Sequence, residues 1–238
     1  WLSWIVFLPL VGAAAIALVP RGNARAIRVA ATLIAFGELA LSLPLWWRVV
    51  PGTPGWQFAE KRDWLPGLGA SYHLGVDGIS MLLALLTTVI TAITVVGAYS
   101  AVEKRAREFY ALIFVLEAGM LGTFFALDLL LFYVFWEAML IPMYLLIGVW
   151  GGTRRVYAAV KFFLYTLAGS VLMLVAILSL YQMQKQFSGV ASFDLAAFYA
   201  MPIHPSQQLW YFLAFAFAFA IKVPMWPVHT WLPDAHVE

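Results

Sequence analysis

Residues 209–236 read LWYFLAFAFAFAIKVPMWPVHTWLPDAH, an apolar run with a single lysine, Lys222, in its middle and three prolines behind it. An ionisable side chain near the centre of a bilayer helix costs about 2.5–3.5 kcal/mol on insertion scales, so it is expected to face protein or a water-filled cavity rather than lipid. Pro224 and Pro227 each lack a backbone N–H, and each ring crowds the carbonyl four residues back, on Ala220 and Val223. The helix should therefore break beside the charge. Carbonyls freed at that depth are tolerated where protein or water satisfies them, the broken-helix pattern of transporters.

A lysine in that position needs a counter-charge. Residues 129–150 (LLLFYVFWEAMLIPMYLLIGVW) form another stretch of spanning length with one acid inside it, Glu137. If the two helices run in the same direction, Glu137 lies roughly 12 Å from the outer end of its helix and Lys222 roughly 20 Å from its own, at 1.5 Å per residue. Side-chain reach can close that mismatch. A carboxylate beside an ammonium favours its charged form, so breaking and remaking the contact can drive proton release and uptake. A purely structural ion pair that locks two helices is the alternative. Pro142, five residues after Glu137, predicts a bend.

Composition sets the class. Of the 238 residues 64% are hydrophobic and 11% charged, and the apolar runs reach 18 residues or more, the length of a helix across about 30 Å of hydrocarbon. The expectation is an all-α, polytopic transmembrane helix bundle of about seven spans, with the seventh broken by proline. The spans fall near 2–19, 27–50, 78–98, 109–127, 129–150, 156–183 and 207–227. With the N-terminus outside, the inner loops carry Arg21, Arg25, Arg28, Lys104, Arg105, Arg107, Arg154 and Arg155, against Arg48, Lys61, Arg62 and Lys185 outside, as the positive-inside bias requires. The first apolar segment lacks the basic start and small-residue cleavage site of a signal peptide. The absence of cysteine removes disulfides and thiolate-ligated iron–sulfur clusters from this chain.

Several polar residues call for readings of their own. Asp77 and Asp128 precede spans and are expected to cap them. The outer segment 51–76, rich in Pro, Gly and Trp, fits a structured loop or small hairpin. Glu38 and Glu117 sit at mid-span. Glu38 is expected to turn toward Ser42 or a neighbouring helix, and Glu117 to be a neutral hydrogen-bonded acid or an accessory proton site. Lys161, about four helical residues past the turn at 151–155, can snorkel to the interface. His229, two turns past Lys222, suits a hydrogen-bonded relay. His236 and Asp234 suit end-capping or loop roles, and the histidine spacing matches no metal-ligand signature.

Three strings, FYVFWEAMLIPMYLLIGVWGG, AVKFFLYTLAGS and AFAIKVPMWPVHTWLPDAH, together resemble the antiporter-like M subunits of proton-pumping NADH:quinone oxidoreductase, respiratory complex I. The resemblance implies a proton-translocating membrane-arm subunit coupled to remote electron transfer from NADH to quinone. FMN, iron–sulfur clusters and quinone would then belong to other chains, and the neighbouring antiporter-like L and N subunits would be partners, in a bacterial plasma membrane. It makes Glu137 and Lys222 the proton-transfer pair, places Lys161 on the polar axis, and puts an acid, Glu103 or Glu108, near an inner channel end. It also implies that residues 1–108 are an N-terminal three-helix segment with outer loop 51–77, and that 109–238 are the first, incomplete antiporter-type repeat, so that the chain corresponds to an N-terminal half. Rival readings are a subunit of a multisubunit cation/proton antiporter or membrane-bound hydrogenase and, in other classes, a structural membrane anchor or a retinal-type seven-helix protein.

Overall fold

The computed structural model describes residues 1–237. Five helical segments are long and apolar enough to cross a membrane: Ala24–Arg48, Gly78–Ala101, Ala106–Phe125, Leu129–Trp150 and Arg155–Ser188, with Leu2–Leu18 a shorter apolar helix. The helix expected as a seventh crossing, Pro205–Lys222, stops at its lysine. Large apolar side chains such as Leu33, Phe36, Ile90, Ile93 and Trp210 point outward. That arrangement suits hydrocarbon, where lipid tails are as apolar as leucine.

The chain divides into two compact units. The first comprises Trp1–Arg62, Tyr72–Leu127 and Val134–Pro142. Its helices are α1 (Leu2–Leu18), α2 (Ala24–Ser42), α3 (Leu45–Arg48), α4 (Gly78–Ala101) and α5 (Ala106–Phe125). In α1 the buried residues Leu2, Ile5, Val6, Pro9, Gly12, Ala13 and Ile16 recur at three and four, one face of a helix. Gly12 allows close approach, since a Cβ there would lie 3.3 Å from Ile34 Cδ1 and closer still to its Cγ2. The expected second span is interrupted: Pro44 cannot supply the N–H that would continue α2, which ends at Ser42 before the single turn of α3. Asp77 caps α4 as expected, its Oδ1 accepting the Ser80 N–H at 2.8 Å while Ser80 Oγ accepts the Asp77 N–H at 2.9 Å.

The outer segment is a hairpin of two paired strands, β1 (Gln57–Leu65) and β2 (Ala70–Val76), joined through a 3-10 turn at Pro66–Leu68. Its tip, Asp63–Ser71, is counted with the second unit, which also holds Asp128–Tyr133 and the chain from Met143 on. Gly69 has φ +68°, and any Cβ on it would collide with the Ala191 carbonyl; the Gly69 carbonyl in turn accepts the Phe193 N–H at 3.2 Å. The principal helix of this unit is the 34-residue Arg155–Ser188, about 51 Å long at 1.5 Å per residue. Packed on it are Pro205–Lys222 and Trp231–Val237, with a short helix at Leu195–Tyr199. Gly169 sits where Ala218 and Ile221 cross it: a Cβ would meet Ile221 Cδ1 at 2.9 Å.

Candidate functional site

Residues 129–150 form two helices rather than a bent one: α6 (Leu129–Ala138) and α7 (Leu140–Trp150). Pro142 accounts for the interruption, because the carbonyl it would have bonded and now crowds is that of Ala138, where α6 stops. Glu137 is the residue before that stop. Asp128 caps α6, its Oδ1 accepting the N–H groups of Leu130 and Leu131, both at 3.0 Å. Its other oxygen accepts from Ser71 twice, from the backbone N–H at 2.8 Å and the hydroxyl at 3.2 Å. One buried carboxylate therefore ties the hairpin tip to the start of the acid-bearing helix.

Within the first unit, α5 receives the end of α6. A Cβ at Gly119 would lie 2.6 Å from Met139 Cγ, and one at Gly122 would run into the Phe135 ring. Phe135 and Met139 are four apart and share a face; Glu137 lies midway in sequence and so faces away from α5. Its Oε1 is buried and has no hydrogen-bond partner.

In the second unit, with α8 (Arg155–Ser188), α9 (Leu195–Tyr199), α10 (Pro205–Lys222) and α11 (Trp231–Val237), Lys222 is the last helical residue of α10. Residues 223–230 are non-helical before α11 begins. The break frees carbonyls in the last turn of α10, and two of them find donors. The Ala220 carbonyl, which Pro224 cannot serve, accepts the Met225 N–H at 2.7 Å. That amide would otherwise have bonded Ile221, whose carbonyl accepts instead the indole N–H of Trp231 at 2.8 Å. Trp231 is buried, with its ring 5.3 Å from that of Phe162 on α8. The carbonyls of the two residues directly before the lysine are thus satisfied by protein.

Lys161 lies six residues past the start of α8 and donates to Asp234 Oδ2 at 2.6 Å, while Arg154 reaches Asp234 Oδ1 at 3.5 Å. Asp234 is thus an ion-pair partner rather than a bare cap or loop residue. Sequence reasoning missed it because it stands 73 residues from Lys161; its place one turn into α11, after the proline break, was the available signal. His229 lies in the non-helical stretch, its Nδ1 buried and without a hydrogen-bond partner, and the neighbouring Thr230 hydroxyl donates to Tyr165 at 2.9 Å. Lys222, Lys161 and His229 therefore belong to the second unit, and Glu137 to the first. Of the two acids expected near an inner channel end, Glu108 is engaged by Arg21 at 2.8 Å and Arg107 at 3.6 Å. Among the described residues no group of three or more His, Cys, Asp or Glu side chains is arranged to hold a metal ion.

A family model described as NADH:quinone oxidoreductase/Mrp antiporter, transmembrane, matches residues 126–238. NADH-quinone oxidoreductase subunit M of Rhodobacter capsulatus is 49% identical over 251 residues, covering 100% of this chain and 48% of that protein. A chain in the structure of respiratory complex I from Thermus thermophilus superposes with a TM-score of 0.86 at 36% identity, over 99% of this chain and 47% of its own. A chain of the Mrp complex from a Dietzia species has a TM-score of 0.82 at 23% identity, over 99% of this chain and 25% of its own, a likeness of fold. The chain spans about half the length of the curated relatives it matches.

Proposed function

The chain belongs to the family of NADH:quinone oxidoreductase/Mrp antiporter transmembrane proteins, and from that premise we propose that it works as an antiporter-like M subunit, translocating protons in the membrane arm of an NADH:quinone oxidoreductase. Its neighbours would be other membrane-arm subunits, the antiporter-like L and N subunits first among them, in a bacterial plasma membrane with the N-terminus outside. FMN, iron–sulfur clusters and quinone would be held by other chains. Residues 109–238 would form the first antiporter-type repeat and residues 1–108 the three-helix segment before it.

The observation that carries this reading is that each member of the expected pair stands at a helix break. Glu137 is one residue from the end of α6, and Lys222 is the final residue of α10. A charge at a break can be met by water and by backbone dipoles, which a charge in mid-helix cannot. In the proposed cycle Lys222 takes a proton from the inner phase by way of hydrated space near Lys161. Glu137 sets how tightly that proton is held: with its carboxylate close the ammonium is favoured, and with it withdrawn the amine gives the proton up. Asp234 holds Lys161 at the inner end, and His229 offers an unengaged ring nitrogen for onward transfer.

The test is Glu137→Gln and Lys222→Met, made singly in the full-length protein and assayed in membrane vesicles holding the assembled complex. Both variants should assemble and lose most proton pumping per NADH oxidised. Pumping at the parent level in both would refute the pair. A cation/proton antiporter role is the reading that shares the family description. Co-purification with a flavin- and iron–sulfur-bearing peripheral arm decides between the two.

A further inference from the structure

Glu38 and Glu117 lie apart from the expected transfer pair. Each sits on the buried stripe of its helix: Ile27, Ala31, Ala35, Glu38 and Ser42 on α2, and Tyr110, Phe114, Glu117, Leu121 and Phe125 on α5. Both are 0% exposed, and all four of their carboxyl oxygens are buried without a hydrogen-bond partner. The third helix packed against both, α4, turns threonines to the same interior, with Thr87, Thr88 and Thr91 on its buried stripe. Thr91 approaches the Glu117 carboxyl without closing a hydrogen bond of good geometry. Ser42, the expected partner of Glu38, is engaged elsewhere: its hydroxyl meets that of Thr88 at 2.9 Å and donates to the Leu39 carbonyl at 3.0 Å.

Among the described residues of the first unit's helices, no cation offsets these acids at close range. Beyond the two glutamates, the ionisable side chains of α1, α2, α4 and α5 are Arg25, Arg28, Tyr99, Arg107, Glu108 and Tyr110, all within about two turns of a helix end. Arg28 precedes Glu38 by ten residues, and Arg107 precedes Glu117 by ten, so each is about 15 Å away along its helix. The segment 134–142 adds Glu137, on the face turned from α5. Glu38 and Glu117 interact electrostatically with each other. Two buried carboxyls within each other's field and without cations cannot both carry charge, and their unmatched oxygens carry a desolvation cost.

We propose that Glu38 and Glu117 form a second proton-binding site in the first unit, a carboxyl pair that keeps one proton throughout and takes up and releases a second, with the Thr91 hydroxyl beside it. In the step itself one carboxyl stays protonated while the other, as carboxylate, takes a proton from water and becomes the acid, and that proton leaves by the reverse route. The proposal rests on the membrane-spanning reading but not on the Glu137–Lys222 pair.

The probe is dicyclohexylcarbodiimide, which enters apolar interiors and reacts with protonated carboxyls. It is applied across pH to the assembled complex in membranes, and the labelled peptides are read by mass spectrometry. The expected result is labelling of no more than one of the two glutamates per chain at high pH, with the second labelled only as pH falls. In Glu38→Gln the labelling of Glu117 at fixed pH should change by about tenfold or more, as for groups coupled by a full pK unit, and the reciprocal should hold in Glu117→Gln. Both glutamates labelled together in one chain at high pH, labelling that ignores pH, or labelling at one site indifferent to loss of the other each overturns the proposal. Protection by sodium ions at constant pH also overturns it, by making the pair a cation site. If the variants do not assemble, the one-label limit in the parent protein decides alone. Because the readout does not involve pumping, failure here is separable from failure of the Glu137–Lys222 pair.

Discussion

The break after Lys222 is held by a bond that one substitution removes. Trp231→Phe deletes the indole N–H that the Ile221 carbonyl accepts at 2.8 Å and keeps an aromatic ring against Phe162. Ile221 is 3% exposed, so its carbonyl loses its partner with little access to solvent. An orphaned buried acceptor costs about 1–3 kcal/mol, and at about 1.4 kcal/mol per factor of ten this is roughly a 5- to 150-fold rise in local opening. The reporters are the amides of Val223, Met225 and Val228, which donate to Phe219, Ala220 and Met225 at 2.8, 2.7 and 2.8 Å. Hydrogen–deuterium exchange of the peptide covering 219–230 should accelerate by that factor, while peptides from the middle of α8 stay at the parent rate. Exchange in 219–230 within twofold of the parent, in a variant that folds, would mean that the prolines alone fix the open turn.

Asp128→Ala removes the acceptor for four donors, the Leu130, Leu131 and Ser71 N–H groups and the Ser71 hydroxyl; a lost cap plus a stranded buried N–H amounts to about 2–4 kcal/mol. The detergent-solubilised protein should unfold at a clearly lower denaturant midpoint, with Asp128→Asn in between because its amide oxygen still accepts. Asp77 is held below the ordinary aspartate range chiefly by the Ser80 N–H, against the opposing effect of partial burial. A depressed folded-state value gives stability that is present above the unfolded value of about 3.9 and lost as pH falls through the folded one. The advantage of the parent over Asp77→Asn should therefore be flat above about pH 5 and vanish in stronger acid; an advantage that persists there would rule out the capping carboxylate as its source.

The features legible in the sequence were those governed by neighbours a few residues away. Asp77 and Asp128 cap the helices they precede, the 51–76 stretch contains a hairpin, and the helix bearing Lys222 stops where Pro224 denies it an N–H. Pro142 was read as a bend, but its effect falls four residues upstream and separates two helices at Met139. What sequence could not supply were partners across helices. Ser42 lies one turn from Glu38 and looked like its partner, yet its hydroxyl crosses to Thr88, 46 residues away. Asp234 looked terminal, yet it is the acceptor for Lys161. In both cases packing selects the partner, because a polar side chain takes whichever donor or acceptor the neighbouring helix delivers.

Proline alone does not explain why the interruptions fall where they do. Pro9 lies within α1 and α1 continues through it, from Leu2 to Leu18. Pro44 ends α2 with no ionisable residue in the turn before it, whereas Pro142 and Pro224 stand close behind one, five after Glu137 and two after Lys222. A carbonyl freed next to an apolar side chain is a pure cost, which favours keeping the helix and absorbing a local distortion. One freed within a turn of a carboxyl or ammonium adds to a polar pocket that the side chain already requires, and the two desolvation costs can be met by the same donors. The Trp231 indole does this at Ile221, directly before Lys222. On that argument the proline and the ionisable residue act as one unit at these two breaks.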